Sequence, residues 1–393
     1  MLNEGLNKGE IFKILEKKLS KDYSYDCGYI LGSMCTEPLD FGKEVYIKYM
    51  QKNLGDPGLF RGTYDLESEL INDIGELFGN RNKITGTFTS GGSEANIIAM
   101  FIAKKLRKDI KQPEMVVPIS AHASFDKGAE LLGIKLRKAK LHMNYELDLN
   151  HFASLINSNT CGVVGIAGTT SLGLVDPIEK IGELINNKNI FFHVDAAFGG
   201  FVLPFLTELG YKIPSWDFSV KRVDSITADP HKMGLGIIPT GGLFLKDPSI
   251  LNEIGFEIPY LAGGNIKHIN ILGTRPGGTI IAFWAILKYL GRYGFKEIIK
   301  DCMDNTKYLT KLISEMEGIK LATEPIMNIV GLTLKNGQSI CELDEKLRKR
   351  NWMIGKFIDF NLIRVVIMPH VKKEHLLDFF NDLEEISKKL NIS

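Results

Sequence analysis

The chain has 393 residues, with 48 Lys plus Arg against 47 Asp plus Glu and a formal charge of +1. Hydrophobic residues make up 44% and charged residues 24%, the balance of a folded globular protein and not of an acidic disordered one. The length exceeds that of a disulfide-framed miniprotein and suffices for two domains, and the near-zero charge leaves no basic stripe for nucleic acid and no footing on an anionic membrane.

From the N-terminus, Met1-Leu2-Asn3 leads to Ile11-Phe12-Lys13-Ile14-Leu15-Glu16-Lys17-Lys18-Leu19, an amphipathic stretch broken by charges and so unlike a signal peptide. The first fifty or so residues read as an arm that packs elsewhere. From 84 to about 245, short apolar runs alternate with helix-like stretches. Strands are predicted at 84–88, 115–119, 163–167, 190–194 and 223–227, and helices at 95–106, 123–132, 151–156 and 178–185. This alternation predicts an α/β fold with a mostly parallel sheet covered on both faces. Residues 241–245 follow after a short loop and are predicted as an antiparallel strand of the same sheet. After 274 the pattern changes to helices at 279–290 and 296–316, an apolar run at 326–334, a helix at 339–350, a strand at 362–368 and a helix at 372–390. The expected division is an arm over 1–50, a large α/β domain over 51–275 and a small C-terminal α+β domain over 276–393. The longest apolar stretch, 279–287, is far short of a membrane span. Cys27, Cys35, Cys161, Cys302 and Cys341 are scattered and odd in number, which argues against a zinc or disulfide frame and for a reducing, cytoplasmic setting.

Candidate site residues cluster just after predicted strands. Ser90-Gly91-Gly92-Ser93-Glu94-Ala95-Asn96 lies between a strand and a helix, where glycines, a helix N-terminus and the Ser93 hydroxyl make an anion seat. An ordinary capped helix reads the same way. His122 follows the next strand and offers a ring that can stack on a planar ligand, or a plain capping histidine. Thr169, in Gly168-Thr169-Thr170, offers a hydroxyl at a third strand end, or an ordinary turn. Asp195 ends the strand of Phe191-Phe192-His193-Val194-Asp195-Ala196-Ala197, where a carboxylate can pair with a protonated ring nitrogen or cap the next element. His193 and Asp195 share a strand face, but with no third ligand a metal site is not expected. Asp229-Pro230-His231-Lys232 follows the strand that holds Ser225. A lysine in that Gly-rich, apolar setting loses hydration, which lowers its pKa and frees its amine for a Schiff base. A turn with a snorkelling lysine is the alternative. In a parallel sheet these strand ends line one crevice. An anion seat, a stacking ring, an anion for a ring nitrogen and a desolvated lysine together describe pyridoxal 5′-phosphate.

These motifs, from about residue 32 to 369, resemble the group II pyridoxal-phosphate-dependent amino-acid decarboxylases. The passages Asn53-Leu54-Gly55-Asp56-Pro57-Gly58 and Ile271-Leu272-Gly273-Thr274-Arg275 resemble their archaeal tyrosine/aspartate branch. The resemblance implies the fold type I architecture, a large, mostly parallel seven-stranded sheet domain plus the small domain, and a homodimer with active sites at its interface. It implies that Lys232 holds the cofactor, Asp195 pairs with the ring nitrogen, His122 stacks, and Gly92 and Ser93 seat the phosphate, with Thr169, Ser225 and His231 alongside. Asp229 stands where some animal relatives have Asn, and an anion there would repel phosphate. In relatives a loop tyrosine protonates the substrate Cα. Tyr260, in Pro259-Tyr260-Leu261-Ala262-Gly263-Gly264, is the candidate here and reads equally as a packed tyrosine. Arg364 is a candidate ligand for a substrate carboxylate. Gly273-Thr274-Arg275 is expected to reach the neighbour's cofactor. The implied reaction converts L-tyrosine to tyramine, for methanofuran, or L-aspartate to β-alanine, for coenzyme A. The alternatives are a lyase or aminotransferase on the same fold, a non-catalytic cofactor-binding protein, and a serine hydrolase. The hydrolase would use Ser93, Asp195 and His231, but Ala95 stands where its nucleophile elbow needs glycine.

Overall fold

The computed structural model describes residues 4–80, 82 and 84–390. Met1, Leu2 and Asn3 of the expected arm and the last three residues of the expected small domain lie outside them. The N-terminal region carries α1 (Lys8–Leu19), α2 (Asp40–Tyr49) and α3 (Arg61–Leu77). There follow β1 (Thr85–Thr89), α4 (Gly92–Leu106), β2 (Glu114–Pro118), α5 (Ser124–Leu132), β3 (Lys135–Ala139), α6 (Leu149–Leu155) and β4 (Thr160–Ile166). Next come α7 (Ile178–Leu184), β5 (Phe191–Asp195), α8 (Leu203–Glu208), β6 (Ser225–Ala228) and β7 (Gly241–Leu245). These seven strands form one sheet in the order β1-β7-β6-β5-β4-β2-β3. Strand β7 is antiparallel to both its neighbours and every other pair is parallel, as the sequence pattern predicts.

Every residue of β4 and β5 is buried, because helices cover both faces and the strands can be apolar throughout. The edge strand β3 reads Lys-Leu-Arg-Lys-Ala and buries only Ala139, so hydrophobic patterning does not reveal it. Beside the β1–β7 pair, aromatic rings interlock. Phe244 meets Phe78 at 5.6 Å and Phe88 at 5.9 Å, both edge-on, and Phe88 meets Phe283 of the long C-terminal helix.

After β7 come α9 (Ser249–Ile254), a hairpin of β8 (Phe256–Ile258) and β9 (Ile266–His268), and α10 (Gly277–Ser314). Helix α10 is broken at Gly291, whose φ of 54° a residue with a Cβ rarely adopts. This break divides the two helices expected from the sequence. The first half packs on α2 and α3, so it belongs with the large sheet although it lies beyond residue 276. The second half packs on a four-stranded antiparallel sheet made of β10 (Ile319–Leu321), β11 (Ile329–Leu334), β12 (Gly355–Phe357) and β13 (Leu362–Val366), in the order β10-β11-β13-β12. Helices α11 (Cys341–Lys349) and α12 (Lys373–Lys389) pack together beside it.

The arm is only partly free. Leu31 donates its N–H to Met353 O and accepts from Val366 N–H, so residues 30–36 run along the small sheet toward the large one. Helix α1 has a complete capping box between Asn7 and Glu10, yet it buries no residue and exposes Ile11, Phe12, Leu15 and Leu19.

The aromatic cluster makes a direct prediction. Phe244→Ala empties a fully buried site and should lower stability by about 3–5 kcal/mol. The change is read from denaturant midpoints, and a midpoint equal to that of wild type contradicts the packing.

Candidate active site

Strands β1, β2, β4, β5 and β6 run the same way and end at one sheet edge. A cavity of about 280 Å³ lies there, where open parallel sheets bind ligands. Ser93 after β1, His122 after β2, Thr170 after β4, Asp195 at the end of β5 and Lys232 after β6 all line it. Met34, from the segment that crosses over from the small sheet, closes one wall.

The Lys232 Nζ is 3.0 Å from Asp229 Oδ2. Burial acts to lower the lysine pKa, as the sequence suggests. The Asp229 and Asp195 carboxylates outweigh it, so the pKa is held above the usual lysine value. This corrects the expectation of a free amine: in this geometry Lys232 is an ammonium with a buried counter-ion.

Asp195 is held on both oxygens. Its Oδ1 accepts from the Ala197 N–H at 3.0 Å and its Oδ2 from Asn96 Nδ2 at 2.9 Å. The same Asn96 nitrogen lies 3.0 Å from Ser124 Oγ, which is 3.0 Å from His122 Nδ1. Asn96 Oδ1 is 3.0 Å from His193 Nε2, and His193 Nδ1 is 2.8 Å from Ser225 Oγ. His193 is wholly buried, and burial pushes its pKa down to about 4, so its ring is neutral.

The phosphate-sized end of the cavity is the start of α4. The Gly92 and Ser93 amides in its first turn have no helical acceptor. A Cβ on Gly92 would stand 2.9 Å from Asp229 Oδ2 and 3.1 Å from Ala197 Cβ, so glycine keeps this approach open. Glu94 ties the corner down, its Oε2 accepting from the Ser90 N–H and hydroxyl. His231 also lines the cavity, with Nδ1 accepting the Thr240 N–H at 3.0 Å; burial lowers its pKa. Two buried polar atoms at the wall, Ser120 Oγ and Asp229 Oδ1, have no hydrogen-bond partner among the described residues.

Four expected residues stand outside the lining. Thr169 turns its hydroxyl to the Leu174 N–H at 3.0 Å, and Thr170 faces the cavity in its place. Ser225 supports His193 from behind. Tyr260 is 82% exposed on the loop between β8 and β9. Arg364 is buried behind the Thr170 wall, donating to Thr170 O at 2.5 Å and Gly32 O at 2.6 Å, and burial pushes its pKa down to about 10. Arg275 is bound within its own chain, pairing with Glu67 at 2.6 Å, instead of reaching outward. The sequence reading had not singled out Asn96, Ser124 or Thr170. Asn96 was findable, since it lies three residues after Ser93 and so on the same helix face. The hydrolase triad is not assembled, because Asp195 is engaged by Asn96 and Ala197, and His231 by Thr240.

The profile of the pyridoxal-dependent decarboxylase conserved domain matches residues 62–335. The L-aspartate decarboxylase of Thermococcus kodakarensis is 44% identical over 386 residues, covering 98% of this chain and 99% of its own. The chain belongs to the pyridoxal-dependent decarboxylase family. A second family member, the “Probable L-tyrosine/L-aspartate decarboxylase” of Methanothermobacter thermautotrophicus, is 42% identical over 363 residues, 92% of this chain and 98% of its own. Among solved structures, the glutamate decarboxylase of Lactobacillus brevis shares the fold with a TM-score of 0.89 at 23% identity, over 100% of this chain and 95% of its own. The sphingosine-1-phosphate lyase of Burkholderia pseudomallei gives 0.90 at 24%, over 99% and 92%. The family's cofactor is pyridoxal 5′-phosphate, and the cavity fits it. The cavity offers a helix N-terminus for a phosphate, a carboxylate for a ring N–H, an orphaned hydroxyl on Ser120 and a lysine amine. The charge of Asp229, unwelcome beside a phosphate, is taken up by Lys232.

The loop that carries Thr170 is closed by Asp176, whose N–H donates to Ile166 O and whose Oδ2 accepts the Ile166 N–H, both at 2.8 Å. Burial raises the Asp176 pKa from 3.8 to about 7. A raised folded-state pKa contributes stability that is present in acid and lost as pH rises through about 7. Asp176→Asn keeps the acceptor without the charge. It should be close to wild type at pH ~5 and more stable by on the order of 1–3 kcal/mol at pH ~8. Equal thermal unfolding shifts at both pH values contradict this.

Proposed function

We propose that the protein removes the α-carboxylate of an L-amino acid as CO₂, acting on L-aspartate and, as a second substrate, L-tyrosine. The convergence of Lys232, Asp195, His122 and the α4 amides on one cavity carries this reading. The substrates are supported by relatives named for aspartate at 44% identity and for both amino acids at 42%. Bound pyridoxal phosphate supplies an aldehyde that condenses with amines and a protonated ring that accepts the electron pair left when CO₂ departs.

The chain's own residues do the rest. Lys232 Nζ, 3.0 Å from Asp229 Oδ2, would hold the aldehyde end of the cofactor. Asp195 holds a proton on the ring nitrogen. The Gly92 and Ser93 amides and the Ser93 hydroxyl hold the phosphate, with His231 beside them. The exposed His122 ring lines the cavity and would stack on the cofactor ring. Thr169 and Ser225 act from behind, fixing the Thr170 loop and the His193 ring. Arg364, buried behind the Thr170 wall, braces that wall through Thr170 O, and its positive charge favours a substrate carboxylate from there. Tyr260, on an exposed loop with Gly263 and Gly264 beside it, closes over the cavity and gives the proton to Cα.

The working unit is a homodimer. Its support is the unburied apolar face of α1 and the exposed Tyr260 loop, both suited to a second copy. The five unpaired cysteines support a cytoplasmic setting. Among the described residues no helix is long and apolar enough to cross a membrane.

CO₂ release should occur with L-aspartate or L-tyrosine and require no keto acid. Transamination without CO₂, or hydrolysis of esters, would sink the reading. Tyr260→Phe should lower the rate of CO₂-derived product formation by about 10²-fold or more, the usual contribution of a general acid, with cofactor binding unchanged. A wild-type rate removes Tyr260 from the mechanism.

A further inference from the structure

Building on the pyridoxal-dependent decarboxylase reading, we propose that Asn96 is a positioning residue that fixes two cofactor-facing groups at once: the Asp195 carboxylate directly and the His122 ring through Ser124. Asn96 is buried one helical turn inside α4. Its amide nitrogen has two hydrogens, and the geometry uses both, one on Asp195 Oδ2 at 2.9 Å and one on Ser124 Oγ at 3.0 Å.

The direction of donation through this network is set by its ends. A carboxylate only accepts, so the nitrogen of the Asn96 amide faces Asp195 and its oxygen faces His193. His193 therefore carries its proton on Nε2, and its Nδ1 accepts the Ser225 hydroxyl hydrogen. His122 Nδ1 accepts the Ser124 backbone N–H at 3.2 Å and, since Ser124 Oγ has received a hydrogen from Asn96, the Ser124 hydroxyl hydrogen as well. The His122 proton then sits on Nε2. One amide thus links β5, and through His193 the first residue of β6, to the start of α5. Burial, which pushes the His193 pKa down to about 4, keeps the first donor of the chain in a single protonation state.

No charged side chain does this job as well. An aspartate at 96 would set a second acceptor against Asp195, and the two carboxyls would compete for one proton. A leucine would leave Asp195 Oδ2 without its side-chain donor, and His193 Nε2 with only the Thr227 hydroxyl at 3.3 Å. The other charged or titratable groups near Asp195 are His193 on its own strand, Lys232, Asp229 and His231 from the segment after β6, and His122 before α5. None of them donates to Asp195 Oδ2 among the described contacts. Among the described residues, Asn96 is therefore the one side chain that donates to that oxygen.

The test uses the cofactor-loaded enzyme and reads the visible absorption of the cofactor against pH, its dissociation constant, and histidine ¹⁵N NMR. Asn96→Asp should raise the dissociation constant about tenfold or more, the cost of unpairing one buried polar group. It should also move the pH midpoint of the absorption change by about one unit or more, because the charge beside the ring nitrogen is altered. Ser124→Ala should keep the wild-type midpoint, since only the His122 branch is cut. Wild-type His193 should stay neutral and protonated on Nε2 from pH ~6 to ~9. Asn96→Asp with wild-type affinity and midpoint overturns the proposal. So does a His193 that titrates in that range or carries its proton on Nδ1, and this measurement stands even where the Asn96 variants fail to fold. A wild-type protein with no cofactor absorption contradicts the decarboxylase reading itself, and the proposal with it.

Discussion

The ammonium of Lys232 stands among buried groups, and it persists there because Asp229 Oδ2 lies 3.0 Å away with Asp195 beyond it. A buried charge without a partner is strongly unfavourable, and a buried pair keeps its place only where backbone and hydrogen bonds fix both members. The sheet provides that. Strands β5 and β6 pair in parallel with His193 opposite Ser225 and Asp195 opposite Thr227. A slip of one residue would turn His193 and Asp195 together to the opposite face of the sheet and bring Val194 into their place. The apolar burial on both faces of β5 therefore sets the electrostatics at its end.

The same placement explains how one cavity holds groups of opposite character. The α4 amides present partial positive charge, and Asp195 and Asp229 present negative charge, at separate points of the wall. Gly92 lets the helix start close to Asp229, and the charge of Asp229 is spent on Lys232 and not on the anion seat. The small sheet takes part as well. It anchors residues 30–36 through Leu31, so Met34 closes the cavity, and it holds Arg364 behind Thr170. The kink at Gly291 lets one helix serve both sheets.

Much of this was legible in the sequence because it is periodic or local. The buried parallel strands announce themselves as apolar runs, and the residues just after them form the site. Strands β3, β10 and β12 escaped because they are short or charged edges with little apolar pattern. Thr169 was favoured over Thr170 because sequence gives the loop but not which hydroxyl turns inward. The lysine pKa was read with the wrong sign because desolvation is visible from apolar neighbours, whereas the countering carboxylates are brought close only by folding. Asn96 was passed over for the same reason: its partners come from β5 and α5.

The most direct test of the central claim is borohydride reduction of the purified holoenzyme followed by peptide mass mapping. A single pyridoxyl phosphate adduct on Lys232 is expected, with loss of the visible absorption band. An adduct on any other lysine, or no adduct on a protein that still releases CO₂ from L-aspartate or L-tyrosine, would contradict it.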